Sequence, residues 1–361
     1  MVRVLQVVTK MDRGGLETML MNYYRNIDRD KVQFDFLTHR AEHGQYDDEI
    51  EARGGKIYHV PHLNPLNPAY YKALNDFFRE HPYKIVHSNL DCTSTFPLRA
   101  AKRAGVPCRI AHIHNTSQDK DFKYPIKMIS KKLLPYEATD YFACGEAAGK
   151  WAFPGKRVTV MKNAIDTSLY VPNVEIRKKV REKFQLKDEF VVGHVGRFDP
   201  AKNHEFLLKI FYELKKDTPD AKLMLVGGGN GKEKIEREVE RLSLEDDVIF
   251  TGVSSDVNEL MQAMDVFVMP SLYEGFPVTM VEAQTAGLPC VISDKVPIEC
   301  AVTRGLVSSV KLSDGVEVWA SEILKTKAIE RKSHLDEIIE NGFDIKQAAK
   351  WLEEYYAKKN R

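Results

Sequence analysis

Short apolar runs alternate with longer amphipathic stretches along the whole chain. Strands are predicted at Val2–Val8, Val32–Leu37, Lys56–Val60, Ile85–His87, Arg109–Ile113 and Tyr141–Cys144. A second series follows at Val191–Val195, Lys222–Val226, Val248–Thr251, Val266–Met269 and Pro289–Ile292. Short β runs with helical periodicity between them imply crossover connections, hence parallel sheets covered on both faces. No repeat, low-complexity tract or Gly/Ser linker interrupts the pattern. The polar, Pro-containing segment Asn163–Glu175 is the best boundary, giving an N-terminal domain over 1–165 and a second over 166–343. The last helical pattern, Asp344–Ala357, puts Ile345, Ala348, Ala349, Leu352 and Tyr356 on one stripe.

Composition narrows the class. A length of 361 residues fits two units sharing a cleft, and the 43% apolar and 29% charged fractions describe an ordinary globular protein. A formal net charge of +1 gives no argument for nucleic acid, so any attraction to anions must be local. The five cysteines (Cys92, Cys108, Cys144, Cys290 and Cys300) include no C-x-x-C, and several fall within apolar runs, as reduced cysteines of a cytoplasmic protein do. The N-terminus is too short for a signal-peptide core, and no apolar run approaches the ~20 residues that span a bilayer.

Chemistry concentrates in Pro270–Pro289, PSLYEGFPVTMVEAQTAGLP. An apolar strand leads into a turn-forming segment, Ser271–Pro277, and then into a helical pattern from Val278 to Ala286. Pro277 suits the first helical position. The backbone amides of Gly275, Phe276, Pro277 and Val278 would then mark a helix start open to a phosphate. Glu274 lies just before that helix and Glu282 in its second turn, so both carboxylates reach a ligand from one side. Alone, such a pair reads as a loop charge and a solvated helix position; tied to strand, Gly-Phe-Pro and helix start, it reads as a site. A phosphate-linked sugar supplies both the anion and the hydroxyl groups that two acids need.

Other loops fit the same ligand. Gly14-Gly15 joins the first strand to a helix beginning near Leu16, where the backbone can approach a ligand closely. Gly196 ends a strand, and Arg197 and Lys202 bracket a turn with Asn203 near the next helix; two such cations suit a pyrophosphate. Gly227 and Gly229 form a G-x-G, but Lys232 stands where a dinucleotide fingerprint needs its third glycine. His112 and His114 share a strand face, and His114 with Asn115 and Thr116 ends that strand. His87 is a weaker candidate for the acceptor side, with Asn115. The triplets Asp28-Arg-Asp30 and Asp119-Lys-Asp121 follow no buried strand and read as solvated loop charges, so no metal is expected.

Together P-S-x-x-E-G-x-P-x-x-x-x-E-A-x-x-x-G-x-P, V-G-R-F-x-x-x-K-N and G-G-x-E resemble the motifs of the retaining glycosyltransferases of the GT-B fold, the large GT4 family. The resemblance covers nearly the whole chain. Ser293–Cys300 lacks that family's usual Gly pair before Pro-Glu and is similar instead to a bacterial branch of exopolysaccharide and capsule synthesis. Ala164 stands where glycine is commoner. The resemblance implies an α/β GT-B fold, two Rossmann-like domains whose parallel sheets face a central cleft, with the terminal helix 344–361 joining the first. It implies transfer of a hexose-type sugar, with retention, from a nucleoside diphosphate sugar (UDP-linked in expectation) to a saccharide or lipid-linked saccharide hydroxyl. Glu274 and His114 would orient the sugar, Glu282 would hold the ribose, Gly15 and Gly14 would meet the phosphates, and Val253 would meet the base. Arg197 and Lys202 would stabilise the diphosphate in place of a metal, so neither metal nor cofactor is expected. The alternatives are a nucleotide-sugar epimerase of the same fold and a non-catalytic nucleotide-sugar-binding subunit.

Residues 121–135, DFKYPIKMISKKLLP, carry four lysines among apolar residues. Helical spacing puts Ile126, Ile129 and Leu133 on one stripe, toward the core, with Tyr124 and Met128 exposed. The plain reading is a surface helix. The sharper one adds an anionic membrane surface as partner of the lysines, making the protein peripheral on the inner face of the plasma membrane.

Overall fold

A computed structural model describes residues 1–115 and 124–360 and divides into two compact units, Met1–Ala164 with Asp344–Arg361, and Ile165–Phe343. The first unit holds strands β1 (Val2–Val8), β2 (Val32–Thr38), β3 (Ile57–His59), β4 (Ile85–Ser88), β5 (Cys108–Ile113), β6 (Asp140–Ala143) and β7 (Thr159–Val160). They form one sheet in the order β3-β2-β1-β4-β5-β6-β7, paired in parallel throughout. Val4 registers with Phe34 on one side and Ile85 on the other, so these three buried side chains share one face at the centre of the sheet. The second unit holds β8 (Val191–Val195), β9 (Lys222–Val226), β10 (Val248–Gly252), β11 (Val266–Met269), β12 (Cys290–Ser293) and β13 (Val307–Val310). Their order is β10-β9-β8-β11-β12-β13, again parallel. Both sheets are therefore doubly wound, with order reversing between β1 and β4 and between β8 and β11.

The apolar pattern missed β7 and β13. Both lie at sheet edges, and neither is fully buried, so neither carries a continuous apolar run. The C-terminal helix, Ile345–Lys359, belongs to the first unit: Ile345, Ala349, Leu352 and Tyr356 join the core formed by Val4, Phe34, Phe36 and Phe142. In the second unit Leu207, Phe211 and Trp319 cover Val192, Leu223, Leu225 and Val268.

One helix is turned about its axis relative to expectation. Over Tyr124–Glu137 the buried positions are Ser130, Leu134 and Glu137, while Ile129 is 60%, Leu133 38% and Tyr136 73% exposed. Two adjacent leucines left the phase open, and Leu134 took the core because the neighbouring helix comes close at Ser130, whose carbonyl accepts from Thr95 Oγ1 at 2.8 Å. Glu137 is tied inward by Arg99, and Lys131 lies over the Trp151 ring at 4.0 Å. Thr116, residues 121–123 of this segment and the Asp119–Asp121 triplet lie outside the described residues. The other triplet is local, with Asp28 paired to Lys31. Among the described residues no helix is long and apolar enough to cross a membrane. The five cysteines are free and buried.

The glycines after β9 serve packing. Gly227 has φ +143°, and a Cβ there would overlap the Gly196 carbonyl oxygen; at Gly231 it would meet the Phe198 carbonyl oxygen at 2.7 Å. The run thus lets the loop after β9 close onto the loop after β8, which carries Arg197. Gly227→Ala is expected to cost about 1–3 kcal/mol through strain and overlap, read as a lowered Tm in thermal unfolding. An unchanged Tm would mean that the two loops do not need this contact.

Candidate functional site

Parallel strands bring the loops after β8 and β11 together where the strand order reverses, the usual ligand position of an open α/β sheet. The first loop starts at Gly196 and Arg197. Asp199 caps a short turn at Pro200–Lys202, and Asn203 adopts the left-handed conformation at φ 57° before the helix His204–Leu214. Three bonds join this loop to the segment after β11. Asn203 Nδ2 donates to the Pro270 carbonyl at 3.1 Å, and Leu272 N–H to the Ala201 carbonyl at 2.7 Å. Lys202 Nζ lies 2.6 Å from Glu274 Oε1, with 18% and 11% of the two side chains exposed. Two residues singled out separately from sequence are thus partners. Arg197 is the more open cation, 76% exposed and paired with Asp199 at 3.0 Å.

Pro277 does not occupy the first helical position. Its ψ of 116° is extended, and the helix is Val278–Thr285. Proline has no N–H, so the open amides of this helix start are those of Val278 and Thr279. Phe276 anchors the turn, stacked on Phe343 with centroids 5.3 Å apart. Nor is the helix amphipathic: every residue but Thr279 is buried, Glu282 included. Its carboxylate accepts from Tyr170 Oη at 2.7 Å. Burial pushes the Glu282 carboxyl up to about 7, against the opposing pull of the Tyr170 hydrogen bond. Tyr170 was not found from sequence; its only signal is its place within the polar segment Asn163–Glu175. Val253 is 61% exposed at the end of β10, with its side chain against Gly228. Arg197 and Asn203 border a cavity of about 960 Å³ that neither Glu274 nor Glu282 lines.

In the first unit Gly14 caps and Gly15 begins the helix Gly15–Asn26, after β1 at the order reversal. Gly15 is exposed, and a Cβ there would meet nothing within 4 Å. Asp91, with φ 50°, gathers the loop after β5. Its carboxylate accepts from His114 N–H at 2.7 Å and from Asn115 Nδ2 at 2.8 Å. His114 is half-buried, its Nε2 3.2 Å from Asn89 Oδ1, and desolvation holds it down at about 4. Asp91 and Asn89 carried no sequence signal beyond their place after a strand. His87 is a core group rather than an acceptor-side one. It is fully buried, and its ring nitrogens are engaged by Tyr356 Oη at 2.7 Å and His112 Nδ1 at 3.1 Å. Among the described residues no group of three or more His, Cys, Asp or Glu is placed to hold a metal ion.

Family comparison decides between the readings. Residues 176–342 match the model of glycosyl transferases group 1, and residues 14–149 that of the glycosyl transferase 4-like domain. Bacillus subtilis EpsF, named as a glycosyltransferase, is 39% identical over 359 residues, 96% of this chain and 94% of that protein. The chain belongs to the GT4-like glycosyltransferases. This glycosyltransferase is also 25% identical over 303 residues, 79% of the chain and 78% of the relative, to the Escherichia coli UDP-Gal:alpha-D-GlcNAc-diphosphoundecaprenol alpha-1,3-galactosyltransferase. Anabaena HepE, solved in complex with UDP and glucose, matches 99% of the glycosyltransferase chain and 100% of its own, with a TM-score of 0.81 at 19% identity. The fold is therefore GT-B. The epimerase and the non-catalytic subunit are set aside.

The raised Glu282 carboxyl has a consequence for stability. Between about pH 4.5, the ordinary glutamate value, and about pH 7 the folded chain holds a proton here that the unfolded chain has lost. This group's contribution to stability therefore falls as pH rises through that window and is flat above it. Glu282→Gln is expected to gain on the wild type by on the order of 3 kcal/mol between pH 4.5 and pH 8, measured by denaturant unfolding at both pH values. A constant difference would show that Glu282 is ionised in the folded protein throughout.

Proposed function

We propose that this glycosyltransferase moves a hexose-type sugar from UDP to a hydroxyl of a lipid-linked saccharide, with retention of anomeric configuration, in exopolysaccharide or capsule synthesis. The carrying observation is the Lys202–Glu274 pair where the strand order reverses. One donor molecule answers both halves of that pair: its diphosphate takes the lysine, and its sugar hydroxyls take the carboxylate. The UDP complex of HepE and the UDP-galactose chemistry in the name of the E. coli relative support UDP as carrier. That relative's diphosphoundecaprenol acceptor supports a lipid-linked one.

In the reaction the bond between the sugar C1 and the β-phosphate oxygen breaks, and its electron pair leaves with UDP. Arg197, Lys202 and the amides of Val278 and Thr279 stabilise that charge, so no metal is required. The acceptor oxygen bonds to C1 on the face the diphosphate vacates, and a β-phosphate oxygen takes the hydroxyl proton. Glu274 holds the sugar. Glu282 accepts from the ribose hydroxyls, and Val253 lies by the base.

Arg197→Ala and Lys202→Ala are each expected to lower kcat by roughly 10²–10³, assayed by release of UDP from UDP-hexoses with a lipid-linked saccharide. Glu274→Gln and Glu282→Gln should weaken donor use while the protein remains folded. Activity should survive EDTA; strict dependence on added Mg²⁺ or Mn²⁺ would overturn the metal-free reading.

A membrane surface would present such an acceptor. The exposed Ile129, Leu133 and Tyr136, with the exposed Lys132 among them, form an apolar and basic helix face suited to anionic lipid. The protein should co-sediment with phosphatidylglycerol-containing vesicles at low salt and less at high salt, and Ile129→Glu with Leu133→Glu should abolish pelleting. A wild type that stays in the supernatant at low salt would leave this helix without a lipid role.

A further inference from the structure

The first unit contains a closed ring of polar side chains that the transfer reaction does not by itself explain. Asn89 Nδ2 donates to Gln6 Oε1 at 3.0 Å, and Gln6 Nε2 to Tyr356 Oη at 3.3 Å. Tyr356 Oη lies 2.7 Å from His87 Nδ1, and His87 Nε2 3.1 Å from His112 Nδ1. The His112 ring packs on that of His114 with centroids 4.0 Å apart, and His114 Nε2 returns to Asn89 Oδ1 at 3.2 Å. Gln6, His87, Asn89, His112 and Tyr356 are all buried.

The directions of the bonds follow from one backbone group and from the need of the buried Tyr356 hydroxyl for an acceptor. Asn89 Nδ2 also lies 3.3 Å from the His87 carbonyl, which can only accept, so that end of the Asn89 amide is its NH₂. Asn89 Oδ1 then faces His114 and accepts, which puts the His114 proton on Nε2. On the other side Gln6 Oε1 accepts from Asn89, so Gln6 Nε2 donates to Tyr356. The buried tyrosine O–H has no other acceptor among the described residues, so it gives its proton to His87 Nδ1. His87 therefore carries its proton on Nε2 and donates to His112 Nδ1, and His112 carries its proton on Nε2, which has no partner among the described residues. Burial keeps all three rings neutral: His87 falls to about 3, His114 to about 4 and His112 well below its ordinary value. Each ring thus has a single N–H to place.

We propose that Gln6, Asn89 and Tyr356 are positioning residues that lock His114 in the Nε2–H form and present its Nδ1 lone pair as an acceptor for a substrate hydroxyl. Nδ1 carries no hydrogen bond among the described residues, and the loop that bears it is fixed independently by Asp91. The C-terminal helix, through Tyr356, is then part of the site it does not reach. That the hydroxyl belongs to the donor sugar or the acceptor rests on the proposed function; the protonation pattern does not.

The test is ¹⁵N-histidine NMR of the whole protein near pH 7.5, with signals among the 11 histidines assigned by His87→Gln, His112→Gln and His114→Gln. Neutral Nε2–H rings at positions 87, 112 and 114 are expected. Asn89→Leu should release His114 into a mixture of both neutral forms, and lower kcat about tenfold, the worth of one hydrogen bond, with little change in donor KM. Tyr356→Phe should disturb His87 first. A His114 that is protonated on Nδ1 in the wild type overturns the proposal, even where the variants fail to fold. So does an Asn89→Leu protein with the His114 form and kcat both unchanged. The NMR measurement needs no substrate, so it can fail while UDP-sugar transfer succeeds, and the reverse.

Discussion

A parallel sheet sends every strand's C-terminal end to the same edge, and the crossovers that make it parallel have only one favourable hand. All else in this molecule depends on that constraint. It brings Gly14, Asn89 and His114 to one edge of the first sheet, although β1, β4 and β5 are far apart in sequence. It brings Arg197, Lys202, Val253 and Glu274 to one edge of the second. Residues with no sequence proximity become a site because the backbone hydrogen bonds of the sheets admit no other arrangement.

Much of this was legible before any coordinates. Val2–Val8, Val191–Val195, Lys222–Val226 and Val266–Met269 have the same bounds in pattern and structure, because a central parallel strand must be apolar on both faces. Short edge strands escaped, since Thr159–Val160 and the polar Val307–Val310 carry no such run. The helix Tyr124–Glu137 came out rotated because adjacent Leu133 and Leu134 fit either phase. The groups that complete the polar sites were the least legible. Tyr170 meets Glu282 across 112 positions of sequence, and Asp91 holds a loop 23 positions away. A motif names the residue that meets a ligand but says nothing of the residue that holds it.

The ionisable groups of the candidate site in the second unit have partners within that unit. Lys202 has Glu274, Arg197 has Asp199, and Glu282 has Tyr170 and a proton-favouring environment. A half-buried charge without a partner is costly, so the folded chain supplies one. Any ligand entering here exchanges contacts rather than filling empty ones, and its affinity reflects the difference. Selectivity follows from that exchange: a ligand that satisfies the lysine while leaving the carboxylate bare gains little.

The C-terminal helix has a further consequence in the order of synthesis. The first unit is interrupted: the chain leaves it after Ala164, builds the whole of the second unit, and returns at Asp344. On the ribosome the second unit emerges as one continuous piece and can close on itself while translation continues. The first cannot, because Leu352 and Tyr356, which seal its core, are made only after the whole of the second unit. Until that helix emerges, Gln6 and His87 lack the hydroxyl that both require, and the face covered by the helix stays open. Of these two units, the one begun earlier is therefore the one completed later.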